Sequence, residues 1–133
     1  MTQRNIDAMD IIVSRMAEGF SISQALQFVY NKRNVGIPYK EENFRVSLMD
    51  LGMTSRSTNA LLRAKMRTLG DVVEFCKKHK ITDVANFGPT CGIEVFETIL
   101  DYCWDHMTKK EKVDFLIDTV ERNVNNIRAE IDI

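Results

Sequence analysis

"MTSRSTNALLRAKMRTLGDV", residues 53–72, decides how the chain is read. Thr54 or Ser55 can cap a helix whose apolar positions are Leu61, Leu62 and Met66. Thr68 with Asp71 three residues on has the pattern of a second cap, opening a helix of Val72, Val73 and Phe75. Two short helices joined by a tight turn are therefore predicted here. Arg56 and Asn59 sit three apart in the first turn of the first one. Polar residues there are either solvated parts of a helix end or side chains aimed at a partner.

Toward the C-terminus the pattern is repeated. "KKHK", residues 77–80, ends the second helix with cations where the helix dipole favours them. Residues 82–86 suit one short helical turn. "NFGPT", 86–90, is a turn with Pro89 at the first position of the next helix, a place proline fits. That helix is expected to run to about His106 through Ile93, Phe96, Ile99, Leu100, Cys103 and Trp104. Each of these two units has a glycine at the entry to a helix, as helix–hairpin–helix units do. Thr108 and Glu111 form a capping box for a last helix. Its Val113, Ile117, Val120, Val124 and Ile127 step by four and three, a heptad-like seam suited to self-association or to docking on another helix.

Toward the N-terminus, Ile6, Met9, Ile12, Val13 and Met16 form a helical stripe that Gly19 can end. Ser21 with Gln24 makes a capping box for a second helix carrying Ile22, Ala25, Leu26 and Val29. The pair reads as a helical hairpin. Its Gln24, Gln27, Asn31, Lys32 and Arg33 could face DNA if it were a helix-turn-helix, but short turns between amphipathic helices are more often plain packing. "NVGIPYKEENF", 34–44, is a connector without periodicity.

Composition supports an all-α reading: the 133 residues include only two prolines and six glycines. The formal net charge of −1 argues against a whole-protein field for nucleic acid or membrane. It hides a polarity, since residues 51–80 hold seven Lys or Arg against two acids, while residues 81–107 hold five acids and no Lys or Arg. No apolar run approaches the length of a membrane span, and the polar start lacks the pattern of a signal peptide. Cys76, Cys91 and Cys103 fit a reducing, cytoplasmic setting better than a disulfide framework. Cys76–His79 and Cys103–His106 have a spacing used by zinc ligands, but two such pairs within helices do not make a metal site. No nucleophile–base pair, phosphate loop or paired-carboxylate motif appears, so neither catalysis nor a cofactor is expected.

Residues about 48–104 resemble the C-terminal domain of the bacterial RNA polymerase α subunit. "MDLGMTSRSTNALLRAKMRTLGDVVEF" and "ITDVANFGPTCGIEVFETIL" carry the resemblance. The family pattern is hydrophobic–Thr–x–Arg–Ser–x–Asn–x–Leu, with Gly-Asp eleven residues after the Asn, matched by Asn59 and Gly70. A second Asn–hydrophobic–Gly turn, with a Glu six residues past its Gly, is matched by Asn86, Phe87, Gly88 and Glu94. The polymerase's large assembly domain is absent, so the chain looks like a free-standing relative.

The resemblance implies a helix–hairpin–helix core, placed over 45–107, and the helical patterns outside it predict an N-terminal hairpin and connector (1–44) and a C-terminal helix (108–133). It implies double-stranded DNA as a weak, salt-sensitive partner, met in the A·T-rich minor groove. The DNA-facing positions carried over are Arg56, Asn59, Gly88, Thr90 and Glu94, with Glu94 expected to position Arg56. RNA polymerase or sigma factor is a further expected partner, and a homodimer through the C-terminal helix another. The sequence departs from the family where Lys-Lys-Ser usually follows the Gly: Pro89, Thr90 and Cys91 stand there, and Gly92 replaces a usual leucine. An interaction module with little DNA affinity therefore stands as the alternative.

Overall fold

The computed structural model describes residues 1–131 of the protein. Among them the fold is all-helical. The helices are α1 (Gln3–Ala17), α2 (Ile22–Val29), α3 (Ser55–Arg63), α4 (Leu69–Cys76), α5 (Pro89–Asp105) and α6 (Lys109–Arg122). Short 3-10 turns occupy Glu41–Asn43, Leu48–Asp50, Ile81–Asp83 and Val124–Asn126. Extended pairing among the described residues is limited to two isolated bridges, Tyr30 with Ile127 and Ser47 with Thr68. The fold divides into two compact units. One holds Met1–Pro38 with everything from Trp104 on, and the other is Tyr39–Cys103.

In the first unit α1 packs on α2 and on α6. Ser21 and Gln24 form the expected capping box of α2, and Gly19 ends the α1 turn at a φ of 105°, where a side chain would be strained. The buried face of α1 differs from the expected stripe. It is Asn5, Ala8 and Ile12, while Ile6 and Val13 are exposed. A helix held by two neighbours buries the line between them, and the apolar count along one helix does not say where that line runs. Gln24 and Arg33 are occupied within the hairpin. The Gln24 side chain accepts from the Ser21 N–H at 3.0 Å, and Arg33 Nη1 donates to the Ser23 carbonyl at 3.2 Å.

The last helix is shorter than its apolar pattern predicts. Asn123, fully buried, stops it. Its Nδ2 donates to the carbonyls of Thr119 (2.7 Å) and Asn34 (2.9 Å), and its Oδ1 accepts from the Asn34 N–H at 2.7 Å. Beyond it the backbone lies beside the end of α2, where the Arg128 N–H donates to the Val29 carbonyl at 2.8 Å. Phe115, Leu116, Thr119 and Val120 are the buried residues of α6. The heptad-like seam is therefore not one helical stripe: Val113 is exposed, Val120 is buried inside the unit, and Val124 and Ile127 lie past the helix end.

In the second unit α3, α4 and α5 surround Leu48, Leu61, Leu69, Val72, Val95, Ile99 and Leu100, all buried. The segment before α3 is bound to the start of α4. The Leu48 N–H donates to the Arg67 carbonyl, Leu69 to Val46 and Gly70 to Phe44, each at 3.0 Å. A Cβ on Gly70 would stand 3.0 Å from both the Cβ and the carbonyl oxygen of Phe44, a tight contact that a larger residue could make only if the connector gave way by a few tenths of an ångström. These bonds place residues 39–44 in the same compact unit as the helices that follow, upstream of the sequence-based boundary at 44/45. Gly92 is buried against the 3-10 turn, with Thr82 Cγ2 3.2 Å from where its Cβ would be. A side chain at this position would therefore press on the 3-10 turn.

Candidate nucleic-acid interface

The start of α3 is built by Thr54, whose hydroxyl oxygen accepts from the Ser57 N–H at 3.4 Å. That hydroxyl in turn donates to Glu94 Oε1 at 2.8 Å, and the Thr54 N–H reaches Glu94 Oε2 at 3.3 Å. Glu94 lies in the second turn of α5, forty residues away in sequence. Its two oxygens hold the backbone and the side chain of the α3 cap, so the starts of α3 and α5 are fastened together. Partial burial pushes the Glu94 carboxyl up. Hydrogen bonds from the Ser57 hydroxyl and from the Thr54 hydroxyl and N–H outweigh this and hold it below the usual carboxylate range.

The result is one cleft of about 340 Å³ lined by Thr54, Arg56, Ser57, Gly88, Thr90, Cys91 and Glu94. Four of the five carried-over positions, Arg56, Gly88, Thr90 and Glu94, are brought together in it. Asn59 is exposed one turn along α3, on the side of Arg56, but does not line the cleft. Arg56 is exposed, and no hydrogen bond or ion pair holds its side chain among the described residues. The contact of Glu94 is with Thr54, which corrects the expectation that its carboxylate fixes the Arg56 fork. A free N-terminal N–H and a free hydroxyl at the cap satisfy the carboxylate first, because they are rigidly placed while the guanidinium would have to be ordered.

Gly88 has open space where a Cβ would stand, and its φ is not in the left-handed region. Neither packing nor backbone geometry requires glycine there. The turn's left-handed residue is instead Asn86, at a φ of 66°. Sequence reasoning missed the roles of Ser57 and Cys91. Ser57 is buried under the cap, and the buried Cys91 lines the cleft. Their alternation with exposed Arg56 and Thr90 was the available signal.

The cysteine–histidine pairs do not assemble. Cys76 is exposed and Cys103 buried, and burial pushes the Cys103 thiol up to about 11, away from the thiolate a metal needs. Among the described residues no three His, Cys, Asp or Glu side chains are grouped to hold a metal ion. No described helix is long and apolar enough to cross a membrane.

Comparison with curated proteins and with solved structures gives no match. Comparison with protein families matches residues 37–101 to the C-terminal domain of the bacterial RNA polymerase alpha subunit. The match includes Phe44, Val46 and Leu48, which tie the connector to the start of α4, and both helix starts of the cleft. Residues 37–101 thus form a domain similar to the C-terminal domain of the polymerase α subunit, and the all-helical order of this stretch is consistent with that fold.

Proposed function

We propose that the protein is a transcription-associated DNA-binding protein that meets the A·T-rich minor groove through the starts of α3 and α5. The observation that carries this reading is the shared cleft, in which an unpartnered Arg56 and an open Gly88 lie at two helix N-termini. Helix N-termini present unpaired N–H groups and partial positive charge to phosphate. Arg56 enters a narrow groove of enhanced negative potential. Asn59 donates to the adenine N3 and thymine O2 acceptors along its floor. Gly88 and Thr90 approach the flanking phosphates. Glu94 acts through Thr54, by keeping the α3 cap in register with α5.

A second reading rests on the charges of the same cleft. Arg56 and Glu94 are its charged residues and cancel, so phosphate neutralisation from the cleft itself is small. In that reading the surface docks on RNA polymerase or sigma factor. Titration of A·T-rich and G·C-rich duplexes at low and physiological salt separates the two. Binding that favours the A·T-rich duplex and weakens with salt supports the groove reading. No binding to either duplex at low salt favours the interaction module.

A further inference from the structure

The outward face of α3 does not stop at Asn59. Arg56, Asn59 and Arg63 stand at i, i+3 and i+7, positions that fall on one line along a helix, and all three are exposed. Among the described residues the Arg63 side chain has neither a hydrogen bond nor an ion pair. Arg63 lies about 10 Å up the helix from Arg56, at 1.5 Å per residue. Helical side chains lean toward the N-terminus, so the Arg63 side chain leans back along α3 in the direction of Arg56.

The cleft lacks what this residue supplies. On α5, Pro89, Thr90 and Cys91 provide no cation after Gly88, and Glu94 offsets Arg56. A duplex seated on Arg56 would meet its nearest further cation on the same line at Arg63. We infer that Arg63 is a backbone-phosphate anchor for the duplex whose groove Arg56 reads, taking over the neutralising role that α5 does not fill. This rests on the DNA-binding reading above. Its last-turn position also favours the helix dipole, so stability and binding must be read separately.

The test uses the full-length protein with Arg63→Gln, which removes the charge, and Arg63→Lys, which keeps it. Affinity for an A·T-rich and a G·C-rich duplex is measured between about 50 and 200 mM salt, with melting followed in parallel. A phosphate contact contributes about 0.9 to the slope of log affinity against log salt. Arg63→Gln should therefore show a slope shallower by about 0.9, with affinity reduced by the same factor on both duplexes. Arg63→Lys should keep the slope of the unaltered protein. An unchanged slope in Arg63→Gln overturns the inference. So does a loss confined to the A·T-rich duplex, which would make Arg63 a base reader. If the unaltered protein binds neither duplex at low salt, the DNA-binding reading fails, and this inference with it. An unaltered protein that binds, beside an Arg63→Gln variant with the same slope, fails this inference alone.

Discussion

Arg56 and Glu94 share a cleft and are expected to behave in opposite ways. Arg56 is exposed and its side chain makes no hydrogen bond or ion pair among the described residues, so Arg56→Ala should leave the melting temperature nearly unchanged. DNA affinity should fall by about 1–3 kcal/mol, and the preference for A·T-rich duplex should fall with it. Lys77→Ala is the control, because Lys77 is engaged with Glu74 at 2.7 Å on α4. Equal losses in both variants would point to diffuse charge and against groove reading. Glu94 is a structural residue first. Glu94→Ala should destabilise the protein by about 0.5–1.5 kcal/mol, since it removes the two partly exposed hydrogen bonds that hold the α3 cap residue. Its pH dependence follows from the depressed carboxyl. The folded state binds the proton less readily than the unfolded one, so this contribution is complete above the ordinary glutamate range and is lost as pH falls through the lower folded value. Glu94→Gln should remove that component of acid destabilisation, leaving the part from Asp71, whose carboxyl is held low chiefly by the Arg67 N–H. Thermal melts between pH 7 and about 3 check this, and parallel curves for both proteins would sink it.

At the level of helices and turns, two positions are under opposite constraints. A methyl group on Gly70 would stand 3.0 Å from the Phe44 carbonyl oxygen, tight enough that the neighbouring backbone must give. Gly70→Ala improves helix propensity by about 1 kcal/mol, yet it should lower the melting temperature, because either the Gly70–Phe44 hydrogen bond or the start of α4 must shift. A raised melting temperature would show that the connector yields freely. Val120 is fully buried on α6. Val120→Asp places an unpaired carboxylate in the core of its unit and should destabilise it by more than about 3 kcal/mol. Val113→Asp, on the exposed side of the same helix, should be nearly neutral. Two variants of similar stability would mean that α6 is held by other contacts than those of its Phe115–Val120 face.

For the molecule as a whole, the Tyr39–Cys103 unit is continuous in sequence, while the other unit is assembled from both ends of the sequence. A fragment of residues 39–103 contains α3, α4, nearly all of α5, the cleft and the tied connector. It should melt cooperatively and keep the same ratio of affinities for A·T-rich and G·C-rich duplexes as the full-length protein. Loss of cooperative melting in circular dichroism would show that this unit depends on the remainder. The corresponding experiment cannot be made with one continuous piece for the other unit, because Asn123 closes it by bonding to Asn34.

Local chemistry alone determined much of this protein. The caps at Thr54, Thr68, Ser21 and Thr108, and Pro89 at the start of α5, form as their residue types predict, since each is satisfied within one turn of backbone. The family pattern in residues 53–72 and 86–94 likewise located the domain and the two helix starts. Tertiary structure decided the rest. Which side of α1 is buried depends on two neighbouring helices, and where α6 ends depends on an asparagine bonding to a distant backbone. That Glu94 would hold Thr54 rather than Arg56 also lay beyond the sequence. A carboxylate takes whichever donors the fold places within reach, and a donor forty residues away leaves no local pattern.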